Sequence, residues 1–141
     1  MRIHIKRILS LAFILCFPIT GCLMAPPCLN MQFDHLTKTD RIVITDNMGK
    51  EIKVIADKAK IKEITTFALT HNSGWETPGS GTPIALLRAN FYCKNTFVGD
   101  LGIGDDFLTS QGCGRFQSRS VSEKDREIIM DLFSVDDPYA D

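Results

Sequence analysis

Polar and apolar positions alternate along several stretches of the chain, and each stretch is bounded by turn-forming residues. Ile42 and Ile44 share one side of Arg41 to Asp46. After Asn47-Met48-Gly49, the stretch from Lys50 to Ala56 places Ile52, Val54 and Ala56 together. Two runs of period two around a glycine-containing turn predict a hairpin. The spacing then changes. Asp57 can cap a helix reaching about Thr70, because its carboxylate can accept free first-turn amides, and Ile61, Ile64 and Ala68 recur at helical intervals with Phe67 beside them. Lys58, Lys60 and Lys62 fall on the wetter sides, and His71 closes the helix where the dipole favours a cation.

A loop, NSGWETPGSGTP, follows and carries the only tryptophan, Trp75. Alternation returns from Ile84 to Cys93, with Ala85, Leu87, Ala89, Phe91 and Cys93 on one face and Arg88, Asn90 and Tyr92 on the other. Phe97, Leu101 and Ile103 predict the next core face, Phe107 to Gln111 another strand, and Gly112-Cys113-Gly114 a sharp bend. Arg115 to Val121 offers a further edge strand. Ser122-x-x-Asp125 is a capping box, and the pairs Ile128/Leu132 and Ile129/Phe133 give the helix behind it an apolar stripe, ended by Asp136-Asp137-Pro138. The order predicts an α+β fold: an antiparallel sheet of about five strands, β-β-α-β-β-β-α, with both helices packed on one face. A small half-open barrel is the other architecture that fits.

The first 21 residues obey a different rule. Arg2, Lys6 and Arg7 precede a 12-residue apolar run from Ile8 to Ile19, then Thr20, Gly21 and Cys22. That layout is a secretory signal. As a helix the run reaches about 18 Å, short of the roughly 30 Å hydrocarbon core. The tetrapeptide Ile19-Thr20-Gly21-Cys22 resembles the lipobox of bacterial lipoproteins. The resemblance is confined to the signal, and no domain family is recognisable behind it. It implies cleavage of residues 1–21, acyl chains such as palmitate on Cys22, and a chain held to a membrane by lipid. With Leu23 after the cysteine, it further implies an outer-membrane, periplasm-facing location in a host with two membranes. Cys28 is a poorer lipidation candidate because Pro26 and Pro27 precede it, and Cys16 within the run serves as a small hydrophobe.

Behind Cys22 the residues to 39, with two prolines and little periodicity, read as a tether, and 40–141 as one domain. Removing the three signal cations leaves 13 basic and 17 acidic residues, net -4, which argues against a nucleic-acid partner. An oxidising compartment would give Cys28, Cys93 and Cys113 one disulfide among three possible pairings. Cys93 with Cys113 closes a 21-residue loop and would contribute roughly 3 kcal/mol, the alternative being that both stay reduced. No cysteine or histidine spacing predicts a metal, and no cofactor motif is visible.

A catalytic set is equally hard to assemble. Gly79-Ser80-Gly81 lies in a Gly/Pro loop rather than at a strand-to-helix elbow, and adjacent Asp105 and Asp106 would point to opposite faces of a strand. Gly99, Gly102 and Gly104 among Asp100, Asp105 and Asp106 read as turn glycines before a phosphate or calcium site. The expectation is a non-enzymatic envelope protein that binds another protein, as an inhibitor, immunity or assembly factor. Trp75, Arg88, Asn90 and Tyr92 are the candidate surface, since aromatic and arginine side chains dominate interface energies; the other reading of the same residues tucks Trp75 into the core as a loop anchor and pairs Arg88 with Asp100 on the neighbouring strand. The alternative is a small envelope hydrolase or ligand carrier using the Trp75 loop.

Overall fold

The computed structural model describes residues 33–111 and 114–135. The fold is α+β, with one six-stranded antiparallel sheet and two helices. In chain order the elements are β1 (Arg41–Asp46), β2 (Glu51–Ile55), α1 (Lys58–Thr70), β3 (Leu87–Cys93), β4 (Thr96–Ile103), β5 (Phe107–Ser110), β6 (Gln117–Ser120) and α2 (Glu123–Phe133). In the sheet they lie β2-β1-β3-β4-β5-β6. The sequence reading is met in class and order, with the stretch from Arg115 to Val121 supplying the sixth strand.

Local chemistry explains the boundaries. The β1–β2 turn is closed by Asp46, whose Oδ1 accepts the Met48 and Lys50 amides at 2.9 and 2.8 Å. Asp57 caps α1 by accepting the Lys60 amide at 2.8 Å, and the Ser122 hydroxyl oxygen accepts the Asp125 amide at 3.1 Å to start α2. The Ser122 hydroxyl also donates to the Asp125 carboxylate at 2.8 Å. That bond, above all, holds Asp125 below its ordinary pKa. Desolvation opposes it, and the positive field of His71, 3.6 Å away, assists.

Both helices cover the same side of the sheet. Ile61, Ile64, Phe67 and Ala68 of α1, with Ile129, Met130 and Phe133 of α2, pack on Ile42, Ile44, Leu87, Ala89, Phe91, Leu101, Ile103 and Leu108. The stripe of α2 is therefore Ile129, Met130 and Phe133, while Ile128 turns to solvent.

Three expectations about side-chain placement are corrected. The tether does not run to residue 39: from Phe33 onward the chain is folded, with a short 3₁₀ turn at Asp34–Lys38 that drives Phe33 and Leu36 into the core. That turn packs closely on β4 at Gly99, where a Cβ would stand 3.0 Å from Leu36 Cδ2 and His35 Nε2 and push both side chains back. Phe97 does not share the face of Leu101 and Ile103. A bulge shifts the β3–β4 register between Phe91 and Tyr92, so Phe97 pairs with Tyr92 and faces away from the helices. Ala85 also leaves the row of Leu87 and Ala89, because β3 starts only at Leu87.

Candidate interaction surface

On the side away from the helices, cross-strand partners line up in three rows. Arg41, Tyr92 and Phe97 form the first; Val54, Val43, Asn90 and Asp100 the second; Thr45, Arg88, Gly102, Thr109 and Ser118 the third. Partners directly opposite in an antiparallel pair share a face, so the rows make one surface.

The loop between α1 and β3 closes part of that surface. It leaves α1 at His71, crosses the outer edge of β6 through a Glu76–Ser118 bridge with bonds of 2.8 and 2.9 Å, and returns to β3, where the Leu86 amide bonds Ile103 O at 2.7 Å. On the way Ala85 settles over Gly102, where a Cβ would come within 2.7 Å of it and 2.2 Å of Thr109 Oγ1. Only a residue without a side chain admits the loop at that point.

Trp75 is the anchor of this loop, which decides between its two readings and removes it from the candidate surface. It is 6 % exposed, its ring meets Phe33 edge-on at 5.7 Å, and its indole N–H donates to His71 O at 2.7 Å. His71 is itself fixed, stacked on Phe67 with Nδ1 2.8 Å from Phe67 O. The sequence reading missed Phe33 as the partner that takes the indole out of solvent, having assigned it to the tether.

Arg88, Asn90 and Tyr92 do share one face, yet they differ in availability. Arg88 is paired with Asp100, which is 4 % exposed and also accepts the Gln111 amide at 2.8 Å on its other oxygen. The Ser110 hydroxyl donates to Asp100 O at 2.7 Å. The guanidinium thus neutralises a buried carboxylate through Nη1, a commitment that a partner would have to leave in place. Asn90 donates through Nδ2 to Val43 O and Thr45 Oγ1, both at 3.3 Å, while its Oδ1 accepts nothing among the described residues. Tyr92 carries Arg41 over its ring at 4.7 Å and meets Phe97 edge-on at 5.9 Å, with its hydroxyl unpartnered among the described residues.

These residues floor a groove of about 630 Å³ between the β1–β2 turn and Thr82 to Ala85. Its walls carry Met48, 88 % exposed, and Ile84, 73 % exposed. Of six exposed large hydrophobics among the described residues, Met48, Ile84, Val54 and Phe97 border or lie on this face. Ile52 stands beside them on β2, and Ile128 alone is on a helix. Among the described residues no other face gathers apolar groups in this way.

Cys93 ends β3 half-buried with no disulfide to another described residue, and Cys113, Cys28 and Cys22 lie outside the described residues. The glycines singled out near the acids are packing positions: Gly99 under the 3₁₀ turn, Gly102 under Ala85, and Gly104 beneath the Phe107 ring. Asp100, the buried acid among them, is taken up by Arg88.

Set against family models, curated proteins and solved structures, the chain matches none.

Proposed function

We propose that this chain is a lipoprotein of the bacterial envelope, anchored through Cys22, whose open sheet face binds another protein without transforming it chemically. The gathering of exposed apolar side chains around Asn90 and Tyr92 carries the reading. Apolar groups dispersed singly over a surface need no explanation, whereas contiguous ones rimmed by polar residues are characteristic of interaction sites. Tyr92 adds a large ring with an unmatched hydroxyl, Asn90 an unmatched acceptor, and both sit on a rigid central strand, so little entropy is lost on contact. The groove holds no paired acid and base beside a nucleophile, which favours a binder over a small hydrolase or carrier. With Trp75 in the core, that alternative lacks its aromatic contact.

The test is photo-crosslinking in the host envelope, with the reactive residue placed at Val54 or Phe97 on the open face and at Ile128 on α2. All three positions are exposed and apolar, so exposure alone cannot separate them. The expected result is a discrete protein adduct from the face positions, diminished by Tyr92→Ala, and none from Ile128. Equal adducts from all three, or none from the face, defeat the proposal.

A further inference from the structure

A second concavity lies in the opposite layer, between α1 and the residues that follow the 3₁₀ turn. It measures about 540 Å³, within the usual range of small-molecule sites, and its walls are mainly apolar, with Ala56, Ile61 and Leu69 and the methyl groups of Thr65 and Thr66. Lys58 and Lys62, one helical turn apart, also line it, and neither makes an ion pair among the described residues; the α1 pair is Lys60 with Glu63. The single acidic lining residue, Asp40, uses its carboxylate to accept the Lys94 amide at 2.9 Å. On the same wall Thr39 Oγ1 is buried without a hydrogen-bond partner among the described residues, a donor that a small shift of the wall would bring to an ester carbonyl.

An apolar trough with two unpaired cations and an unsatisfied donor fits an amphiphile with a hydrocarbon chain, an ester and a negative head. Ten residues separate Cys22 from Phe33, a reach of at most about 40 Å, so anchoring at Cys22 would keep this layer within range of a bilayer. We infer that the groove takes one acyl chain of an anionic phospholipid from the supporting membrane, with Lys58 and Lys62 at its phosphate. The inference rests on the anchored reading for its source of lipid. It would also place the open sheet face, on the far side of the sheet, away from the bilayer.

The experiment uses the full mature chain in vesicles of phosphatidylcholine and phosphatidylglycerol containing a phospholipid with a photoactivatable acyl chain. After irradiation and digestion, label is expected on the α1 peptide that contains Ile61 and Leu69. Lys58→Gln with Lys62→Gln should lower it by about 30-fold, since each lysine at an anionic surface is worth about a factor of five. Thr66→Trp, at an exposed helix position, should fill the trough and remove the label without lowering the melting temperature. Intact mass of the same samples reports on the anchor separately. A labelled groove on a chain without acyl mass at Cys22 would uphold the groove and remove the anchor. An acylated chain with α1 unlabelled, or labelled equally in all variants, overturns the groove. So does a groove shielded from label in the acylated chain but open to it in Cys22→Ser, because the anchor's own acyl chain would then be the occupant.

Discussion

Arg88 and Tyr92 stand four residues apart on one strand and face the same way, yet they belong to different regions of the sheet surface. At Arg88 the loop has come across: Ala85 covers Gly102, and Asp100 and Thr109 beneath are buried. At Tyr92 the nearest cover is Arg41 on one side and a half-exposed Phe97 on the other. An outward-facing polar residue is therefore not equivalent to an available one. What separates the closed half from the open half is where a loop tethered at Trp75 and at β6 crosses the sheet.

The largest expected effect is on that tether. Trp75→Ala should cost about 3 to 5 kcal/mol, the range for removing a buried aromatic ring, because Phe33 loses its edge contact and His71 O its donor. Hydrogen exchange sharpens the comparison. The Leu86 amide, bonded to Ile103 O, should lose protection, while the Asp40 amide, bonded to Tyr92 O, should keep it. Uniform loss at both sites would mean that the two halves are one cooperative unit.

The next effect concerns the ion pair. Arg88→Ala leaves the Asp100 carboxylate buried with only the Gln111 amide and the Ser110 hydroxyl near it, and should cost roughly 3 kcal/mol in urea denaturation. Asp100→Ala added to Arg88→Ala should restore part of the loss, since the uncompensated charge is gone. A cost for Arg88→Ala below about 1 kcal/mol, the value of a surface pair, would return Arg88 to the open half.

How far these halves could be read from residue order depends on the range of the forces involved. Arg41–Asp46 and Lys58–Thr70 were legible because alternation and the Asp57 cap are local signals. The face containing Asn90 and Tyr92 was legible for the same reason. The side taken by Phe97 was not, because a bulge at Phe91/Tyr92 slips the pairing by one residue, and alternation assumes no slip. Trp75 was ambiguous between anchor and contact because its burial needs Phe33, a distant partner on a segment whose prolines and weak periodicity read as tether. The commitment of Arg88 turns on the depth of Asp100, which only the returning loop creates.

The smallest expected effect on stability lies in the groove walls, where the two halves meet, and tests whether they stand open. Met48 and Ile84 face each other across the groove from the β1–β2 turn and the returning loop, and neither belongs to the core. Met48→Ser and Ile84→Ser remove apolar surface that is already in water, so each should shift stability by no more than about 0.5 kcal/mol. The turn itself is held by Asp46 and by Gly49 at φ +80°, not by the Met48 side chain. If the groove walls meet a protein, the loss appears only on binding, where burying each side chain would have gained about 1.5 to 3 kcal/mol at most. The double variant should then lower the crosslinking yield from Phe97 at least tenfold while its urea midpoint stays with the parent. A fall in the midpoint comparable with that of Arg88→Ala would show that these walls are part of the closed half, and that the boundary between Arg88 and Tyr92 is misplaced.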